Sequence, residues 1–240
     1  MTAALVTGGH RRVGRAIALA LARRGYDIHL TWRRREGDAR TTVGQVQELG
    51  VTATAHRVEL SDAGSLAALA DRVWDASSGL TVLVNSASIF PPTKLEDVTE
   101  EDWDACLAVN LKAPFLLSRT LGTRMRAAEG GNIINILDWA TDRPYRGYLP
   151  YFVSKAGLQG LTRALAVELA PNVRVNGVAP GAVMLPEATT AAEREAIVET
   201  TPLARVGTPE DVGAAVAYLV ADAGFITGEV LYIDGGRRLA

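Results

Sequence analysis

Two side chains of complementary chemistry lie four residues apart in the segment Tyr151-Phe152-Val153-Ser154-Lys155. Residues spaced by four share one face of an α-helix, so a helix here would hold the Tyr151 phenol beside the Lys155 ammonium. A neighbouring positive charge stabilises a phenolate, so we expect Lys155 to lower the pKa of Tyr151 toward the range where a phenol can transfer a proton. Such a pair is also common as ordinary decoration of a helix surface, and the spacing alone leaves both interpretations open.

A glycine-rich segment, Thr7-Gly8-Gly9-His10-Arg11-Arg12-Val13-Gly14, follows the first apolar run. Between a strand and a helix, such a turn brings backbone N–H groups against a pyrophosphate at the helix N-terminus. We expect Gly8 to make the tight turn and Gly14 to let the helix pack closely on the strand. The glycine spacing differs from the G-x-G-x-x-G dinucleotide fingerprint, so a plain strand-to-helix turn is the alternative.

Three arginines, Arg33, Arg34 and Arg35, follow the second apolar run, and no carboxylate occurs there before Glu36. In a dinucleotide-binding fold this position meets the 2′-oxygen of the adenosine ribose, where an acidic residue would accept from a hydroxyl and repel a phosphate. Guanidinium groups make charge-assisted bonds to a phosphate, so the run favours NADPH over NADH. A solvated basic loop is the alternative interpretation.

The elements that would position these residues alternate along the chain. Apolar runs predict strands near residues 3–7, 27–32, 52–58, 80–84, 131–137, 172–178 and 229–233. Helical spacing predicts helices near 13–24, 38–49, 62–77, 101–127, 151–170 and 209–222. The alternation indicates βαβ units, and hence one α/β domain over residues 1–240 with a doubly wound sheet of seven mostly parallel strands and helices on both faces. Residues 181–207 are the least regular and are expected to form a mobile flap over a ligand.

The composition excludes several classes of function. Of the 240 residues, 25 are Lys or Arg and 27 are Asp or Glu, which gives a net charge of −2, and 48% are hydrophobic. Such a balance is typical of a globular protein and indicates neither a nucleic acid nor a membrane as partner. The single cysteine, Cys106, excludes an intrachain disulfide, and no Cys/His cluster has metal-ligand spacing. With no signal peptide evident, we expect a cytoplasmic protein without a metal.

The same pieces occur in a fixed order over the whole chain, and in that combination the sequence resembles the short-chain dehydrogenase/reductase superfamily. The matching motifs are the Thr7 to Gly14 loop, Asn85-Ser86-Ala87-Ser88 in place of the family's Asn-Asn-Ala-Gly, Asn110, Tyr151 with Lys155, Pro180-Gly181 and Asp234-Gly235-Gly236. The resemblance implies a Rossmann-type fold in which Tyr151 donates a proton, Lys155 lowers its pKa and holds the nicotinamide ribose, and Asn110 orders a water relay. It also implies a homotetramer that associates through the helices near 101–127 and 151–170.

Two departures from the superfamily pattern narrow the resemblance. Arg12 replaces the middle glycine of the T-G-x-x-x-G-x-G loop, and Asp138 replaces the serine thirteen residues before the tyrosine. Both resemble the pteridine reductase branch, including bacterial dihydromonapterin and dihydrofolate reductases. Reducing a pterin C=N bond sends a proton to ring nitrogen, and a carboxylate bonded to Tyr151 can pass that proton inward and accept from ring N–H groups. The alternative is that Asp138 only caps a turn before Thr141.

The resemblance to this branch implies an NADPH-dependent reductase that converts dihydropterin to tetrahydropterin, with dihydrofolate as a further candidate substrate. Catalysis is assigned to Asp138, Tyr151, Lys155 and Asn110. Phe90 is expected to stack on the flat ring, and the substrate residues as a set are Arg12, Ser88, Phe90, Asp138, Tyr148, Tyr151, Met184 and Leu185. The residues assigned to the cofactor are Gly8, His10, Arg11, Arg12, Val13, Gly14, Arg33, Arg34, Glu59, Leu60, Asn85, Ser86, Ala87, Tyr151, Lys155, Pro180, Gly181 and Val183.

Two other functions stay open from the sequence. A carbonyl or 3-oxoacyl reductase of the same superfamily would leave Asp138 incidental, and an NADP-binding regulatory protein would have lost turnover. The presence of Asn110, Tyr151 and Lys155 argues against the regulatory protein. Phe90 has an alternative as an ordinary rim hydrophobe, and Trp139 is open between a pocket wall and an interface.

Overall fold

The computed structural model describes residues 2–77, 79–185 and 188–240, and the strands among them form one sheet. The strands are β1 (Ala3–Val6), β2 (Asp27–Trp32), β3 (Ala53–Arg57), β4 (Leu80–Asn85), β5 (Gly131–Ile136), β6 (Val173–Pro180) and β7 (Val230–Ile233). Their order is β3-β2-β1-β4-β5-β6-β7, and every neighbouring pair is parallel. The predicted Rossmann-type α/β fold is confirmed, and each predicted strand is present to within two residues at either end.

Within the described part of the chain, α-helices cover both faces of the sheet. They are α1 (Arg12–Ala22), α2 (Glu36–Gln47), α3 (Ala63–Ala76), α4 (Glu100–Leu107), α5 (Ala113–Ala127), α6 (Leu149–Glu168), α7 (Ala191–Glu199) and α8 (Pro209–Ala221). Successive strand residues point to opposite faces, so Val6 joins the aliphatic core under α1 and α8 while Leu5 joins the core under α3 and α5. Both faces are therefore buried, as a parallel sheet requires.

The predicted helix over 101–127 is divided by a π-helical turn, Ala108–Lys112, between α4 and α5. Asn110 lies in this turn and bonds through its side chain to the backbone of Ile89 on the loop after β4. Pro114 then lies in the first turn of α5, where proline is tolerated. A functional side chain held by a neighbouring loop is a recurrent setting for such a π-turn.

The segment 181–207, predicted to lack regular structure, contains α7. Its start carries a capping box in which Thr190 Oγ1 accepts from the Glu193 backbone and the Glu193 side chain accepts from the Thr190 backbone. The Thr-x-x-Glu spacing was visible in the sequence as a helix-start signal, but α7 contains no buried residue, so no apolar stripe marked it. Residues 186 and 187 of the predicted flap lie outside the described residues, and the mobility of the flap stays a prediction.

Because all seven strands of the described sheet are parallel, their carboxyl ends meet at one edge. The loops that follow β1, β4, β5 and β6 carry most of the residues assigned to chemistry, and they converge at this edge. No helix within the three described ranges is long and apolar enough to span a bilayer.

Candidate active site

The centre of the site is a hydrogen bond between Tyr151, in the first turn of α6, and Asp138, just beyond β5. Tyr151 Oη donates to Asp138 Oδ2 over 2.8 Å. The second carboxylate oxygen, Oδ1, accepts from the backbone N–H of Ala140 at 2.8 Å, so Asp138 also caps the short 3-10 turn Trp139–Asp142. Asp138 thus has both of the contacts that the sequence left as alternatives: one oxygen caps the turn and the other accepts from the phenol.

Lys155 lies one helical turn after Tyr151 and is buried. Its Nζ donates to the carbonyl oxygen of Ile136 over 2.7 Å and lies 5.7 Å from the centre of the Tyr151 ring. Burial penalises the ammonium and lowers the pKa of Lys155 to about 8. The end of β5 therefore holds a cation beside the phenol that can exchange its proton close to neutral pH.

The prediction that Lys155 lowers the pKa of Tyr151 is wrong for the protein without bound ligands. Burial of the phenol, followed by the facing charge of Asp138, raises the pKa of Tyr151 well above its ordinary value. Burial also raises the pKa of Asp138. A desolvated carboxyl and a desolvated phenol both disfavour their charged forms, so the pair is built to keep a shared proton and pass it on rather than to hold a free phenolate.

Asn110 ties the loop after β4 to α6. Its Oδ1 accepts from the Ile89 N–H at 2.9 Å, and its Nδ2 donates to the Ile89 carbonyl and to Ser154 Oγ, each at 3.0 Å. Ser154 Oγ in turn donates to the Tyr151 carbonyl over 2.6 Å. Both polar atoms of the Asn110 side chain are engaged in holding backbone, so its role in a water relay stays a prediction.

An aromatic cluster borders the reacting phenol. The rings of Phe90 and Tyr148 stack with centroids 4.1 Å apart and 7° between planes, and Phe90 meets the Tyr151 ring edge-on at 4.3 Å. The loops that carry Phe90 and Tyr148 are joined where the Thr93 N–H donates to the Gly147 carbonyl over 2.8 Å. Phe90 remains 44% exposed, so an entering flat ring meets an aromatic surface next to Tyr151.

The glycine-rich loop packs against the ends of β2 and β4. Gly8 has a φ of +64°, which favours glycine, and a Cβ there would lie 3.0 Å from the Cα of Ala87. The Gly8 N–H donates to Thr31 Oγ1 over 2.9 Å. Thr7 Oγ1 accepts from the N–H groups of Ser86 and Ala87 at 3.0 and 3.1 Å. The loop therefore presents bare backbone at the N-terminus of α1, as a bound pyrophosphate would need.

Gly14 serves a different contact from the one predicted. A Cβ at Gly14 would collide with the carbonyl oxygen of Gly8, on the loop backbone rather than on the strand. The first turn of α1 thus folds back directly on the turn that precedes it. The close approach predicted for this glycine is real, but it shapes the loop and not the packing of helix on sheet.

Arg12 has a φ of +52°, the left-handed region that favours glycine. This explains in physical terms why the superfamily pattern has glycine at this position, and an L side chain there carries a strain of about 1–2 kcal/mol. The Arg12 Nε lies 3.1 Å from Met184 Sδ, on the segment after β6. Two of the residues assigned to the substrate, one from each half of the sheet, are thereby brought together.

The arginines after β2 are exposed at the outer part of the carboxyl edge. Arg33 Nη1 lies 3.4 Å from a carboxylate oxygen of Glu59, and both side chains remain nearly half exposed. Arg34 is also exposed, and Leu60 packs partly on the core under α3 and α5. An approaching phosphate would meet two guanidinium groups, one of which Glu59 already partly neutralises.

His10, Arg11 and Val13 belong to the glycine-rich loop. The His10 carbonyl accepts from Thr42 Oγ1 over 2.9 Å, its Nδ1 is buried without a protein partner in the described chain, and burial lowers the pKa of His10. Arg11 is exposed and Val13 is half-buried against the core. None of these contacts conflicts with the assignment of all three to the cofactor.

The remaining assigned residues line the inner part of the same edge. Asn85 is buried and donates through Nδ2 to Asn135 Oδ1 over 2.8 Å, so its side chain joins strands rather than facing the loop. Gly181 at the end of β6 leaves no room for a Cβ beside Asp234, and its N–H donates to the Ile233 carbonyl over 2.9 Å. Of the other assigned residues at this edge, Pro180 and Val183 are buried, Leu185 is half-buried and Ser88 is exposed.

Two further aromatic residues border the site: Tyr145, which the sequence did not single out, and Trp139. Tyr145 meets Tyr148 and Phe152 edge-on at 5.4 and 4.9 Å, and burial raises its pKa to about 12. Trp139, left open by the sequence, packs on the buried cluster that contains Tyr151. Five aromatic residues fall between positions 139 and 152, and this density is the signal that could have identified the cluster.

The fold and this site define a class: an oxidoreductase that uses a nicotinamide dinucleotide. The loop at the N-terminus of α1 carries no side chain at Gly8, Gly9 and Gly14, where a Cβ would collide with Ala87, Leu30 and the Gly8 carbonyl, so a compact turn of backbone lies at this helix end. This turn lies at the same sheet edge as the Tyr151–Lys155 pair. The residues present therefore fit the adenosine pyrophosphate at one end and a reacting ring at the other.

Comparison with known proteins places the chain within that class. A family model described as enoyl-(acyl carrier protein) reductase matches residues 9–238. The chain belongs to the short-chain dehydrogenase/reductase superfamily, which binds NAD(P)H. Among solved structures, it is similar to the acetoin dehydrogenase of Enterobacter cloacae, with a TM-score of 0.89 and 34% identity over 100% of this chain and 96% of that one. A Sinorhizobium meliloti protein described as a short-chain alcohol dehydrogenase has a TM-score of 0.94 and 33% identity over 100% and 97% of the two chains.

Curated relatives include reductases of 3-oxoacyl thioesters and a dehydrogenase/reductase whose name specifies no substrate. A 3-oxoacyl-[acyl-carrier-protein] reductase of Staphylococcus aureus is 34% identical over 98% of both chains. The Synechocystis protein of the same name is 36% identical over 97% of this chain and 95% of its own. Human dehydrogenase/reductase SDR family member 4 is 36% identical over 97% of this chain and 86% of its own. These relatives support the oxidoreductase class, and the names of the two 3-oxoacyl reductases correspond to the carbonyl alternative rather than to the pteridine reductase branch.

Proposed function

We propose that this protein is an NADPH-dependent reductase of the C=N bond of a pterin, converting dihydropterin to tetrahydropterin, with dihydrofolate as a second candidate. The observation that carries the proposal is the 2.8 Å bond from Tyr151 Oη to Asp138 Oδ2. A ketone oxygen needs a hydroxyl donor beside the tyrosine. A pterin needs a proton on ring nitrogen and an acceptor for its ring N–H and amino groups, and a buried carboxyl supplies both.

The proton transfer is supported by the bond between Tyr151 and Asp138 and by the burial of both groups. When Asp138 is protonated, the bond reverses: the carboxyl donates to Tyr151 Oη and frees the phenolic hydrogen for the substrate nitrogen. Transfer of that hydrogen leaves a phenolate, which takes the proton from Asp138, so the carboxylate is the charged group that remains. Burial raises the pKa of Asp138, so this protonated form is populated at a higher pH than for an exposed carboxyl.

Lys155 balances the charge that this transfer creates. NADPH, when bound, supplies the hydride. With its Nζ 5.7 Å from the Tyr151 ring, Lys155 stabilises negative charge on the phenol oxygen while the proton moves. Because burial lowers the pKa of Lys155 to about 8, the ammonium is still the main form at pH 7.

The aromatic cluster would orient the flat ring. Phe90 and Tyr148 stack on each other beside the phenol, and an entering ring would meet the exposed part of Phe90. Offset stacking contributes about 0.5–1.5 kcal/mol beyond area burial. Arg12 and Met184 approach from the opposite half of the sheet. Stacking against Phe90 on one side and polar contacts on the other would hold the ring at a single distance from the reacting phenol.

Preference for NADPH is supported by the exposed guanidinium groups of Arg33 and Arg34 after β2. The described side chains within the first turn of α1 include no acidic residue, so no carboxylate there opposes a phosphate. Glu59 partly neutralises Arg33, whereas Arg34 forms no ion pair with Glu59 among the described residues, so its charge would still be available to the phosphate.

A second candidate function is reduction of a ketone or 3-oxoacyl thioester. It is favoured by the names of the Staphylococcus aureus and Synechocystis relatives. In that case Asp138 would act only through Oδ1, as the cap of the turn Trp139–Asp142.

The experiment that separates the two is NADPH oxidation measured in parallel with dihydrobiopterin, dihydrofolate, a 3-oxoacyl thioester and a simple ketone. We expect the highest kcat/KM with a dihydropterin. Replacement of the acid, Asp138→Ser, should lower kcat/KM for the dihydropterin by about 100-fold or more, because a positioned acid–base group is worth that much. A variant that keeps its dihydropterin activity, or a wild type that prefers the thioester, contradicts the pterin proposal.

We also propose that the chain assembles as a homotetramer. Phe115 on α5 and Leu149 and Val153 on α6 are exposed apolar side chains on the helices expected to associate. Burying such side chains against a second copy would be favourable. Mass measurement in solution tests the assembly, and a monomer mass contradicts it.

A further inference from the structure

The segment after β7 lies against the loop that carries Asp138. The guanidinium carbon of Arg237 is 5.1 Å from the centre of the Trp139 ring, a cation–π geometry. Trp139 itself packs on the buried cluster of Ala140, Tyr151 and Phe152. One chain of contacts therefore runs from Arg237 through Trp139 to the reacting phenol, although Arg237 lies far from it in sequence.

Three further hydrogen bonds hold the same pair of segments together. Arg143 Nη1 donates to the Arg238 carbonyl over 3.3 Å and also to the carbonyl of Ala240. Tyr232 Oη, on β7, donates to Asp142 Oδ2 over 2.8 Å. The turn Trp139–Asp142 is thus attached at both of its ends to β7 and to the residues that follow it.

The segment after β7 is itself rigidly built. Asp234 Oδ1 accepts from the Gly236 N–H at 3.0 Å, and Oδ2 accepts from the Arg238 N–H at 2.9 Å. Gly235, with a φ of +64°, has no room for a side chain, because a Cβ there would lie 2.7 Å from Thr201 Cγ2. This segment can therefore fix the direction of Arg237.

We propose that Arg237 is a positioning residue for the proton transfer. By stacking on Trp139, it holds the turn whose Ala140 N–H fixes Asp138 Oδ1, and that bond keeps Asp138 Oδ2 on Tyr151 Oη. The inference rests on the proposed function, in which Asp138 is a reacting group. The segment after β7 would thus influence the geometry of catalysis without itself touching substrate or cofactor.

The test compares three variants of the full-length protein in their NADPH-bound form. Arg237→Ala removes the cation, Arg237→Lys restores a cation, and Arg146→Ala is the matched control, an exposed arginine of the loop that carries Asp138. Each is measured for kcat and KM, for the pH dependence of kcat, for the NADPH Kd, and for amide hydrogen exchange at Ala140. The substrate is whichever compound of the panel the wild type reduces.

For Arg237→Ala we expect kcat to fall about 10- to 100-fold, as small misplacements of reacting groups do. The pH profile of kcat should shift, exchange at Ala140 should accelerate, and the NADPH Kd should stay at the wild-type value. Arg237→Lys should recover part of kcat and of the pH profile, and Arg146→Ala should match the wild type. A folded Arg237→Ala with wild-type kcat and pH profile overturns the proposal, as does an equal loss in Arg146→Ala.

A milder variant covers the case in which Arg237→Ala does not fold. Tyr232→Phe removes only the hydroxyl bond to Asp142, and it should shift the pH profile in the same direction by a smaller amount; no shift overturns the proposal. If the wild type reduces nothing in the panel, the proposed function fails by itself. Exchange at Ala140 then decides the positioning role, and unchanged exchange in Arg237→Ala overturns it.

Discussion

The two halves of the carboxyl edge treat their ionisable groups in opposite ways. In the half built from β4 to β7, Asp138, Tyr151 and Lys155 are buried or nearly so, and burial shifts the pKa of each toward its neutral form. In the half built from β1 to β3, Arg33 and Arg34 are exposed and free to meet a ligand from solvent. Under the proposed function, the buried half would move a proton and the exposed half would recognise a fixed charge on the cofactor.

The largest expected effect is loss of the phenol. Tyr151→Phe removes the hydrogen that reaches the substrate, so we expect kcat to fall by about 1,000-fold or more while the NADPH Kd is unchanged. Steady-state kinetics and fluorescence titration of NADPH measure the two quantities. Tyr145→Phe, a neighbouring tyrosine in the same aromatic cluster, is the control and should keep most of its activity. Substantial turnover in Tyr151→Phe would show that the buried half does not supply the proton.

The next effect concerns the exposed half. The double variant Arg33→Ala and Arg34→Ala should raise the Kd for NADPH by about 100-fold or more and leave that for NADH unchanged, because charge-assisted bonds to a phosphate contribute about 1.5–3 kcal/mol each. Glu59→Gln should act in the opposite direction, since it releases Arg33 from its ion pair. Equal Kd values for the two cofactors in the wild type would refute the assignment of this surface to the 2′-phosphate.

A buried histidine pair under the exposed half gives a smaller effect on stability. His29 Nδ1 and His56 Nε2 lie 3.0 Å apart, and His29 Nε2 lies 3.2 Å from Ser77 Oγ. Burial, with His29 and then Arg72 as further causes, lowers the pKa of His56 to about 4. Burial also lowers the pKa of His29, against the opposing charge of Asp27.

The sign of the pH dependence follows from these shifts. Between about pH 4 and 6.5 the unfolded chain binds protons that the folded pair does not, so the free energy of unfolding falls as the pH falls through this window. Discounted for the partial exposure of His56, the change is roughly 1–2 kcal/mol. His56→Gln can still donate to His29 but cannot be protonated, so its denaturation midpoint should vary less with pH. An unchanged slope would contradict the role of the pair.

The smallest effect distinguishes stability from substrate binding at Arg12. Arg12→Gly relieves a φ of +52° and should raise the free energy of unfolding by about 1 kcal/mol. The same change removes the contact with Met184, so KM for the substrate should rise. Arg12→Ala, which removes the contact and keeps the strain, separates the two effects. A variant that gains stability and keeps its KM would remove Arg12 from the substrate site.

Much of the fold could be predicted because most of its strands and helices follow from local sequence patterns. Strands β1 to β7 are short apolar runs separated by helical spacing, and a parallel sheet buried on both faces needs such runs. Helix α7 escaped prediction because it buries none of its residues. The break at Asn110 escaped because its cause, the backbone of Ile89, lies twenty-one residues away along the chain.

For the site, the sequence predicted which residue types come together, but it did not predict how their pKa values shift. The pairing of Tyr151 with Lys155 followed from helical spacing, yet the direction of the Tyr151 pKa was wrong. Spacing reports only the nearby cation, whereas the raised pKa comes from burial and from Asp138, which arrives from another element. Contacts such as Arg237 on Trp139 join residues nearly a hundred positions apart, and no local pattern indicates them.

By itself, the amino-acid sequence determined the alternation of strands and helices, the glycine-rich turn, the superfamily and the presence of an acid where a hydroxyl is usual. These depend on residue type and short-range spacing, which act through local backbone preference and side-chain periodicity. Only the tertiary structure decided that Asp138 bonds Tyr151, that both groups are desolvated, and that β7 and the segment after it hold their loop. Desolvation and long-range contact depend on what other elements pack around a group, and parallel strands bring those elements together from distant parts of the chain.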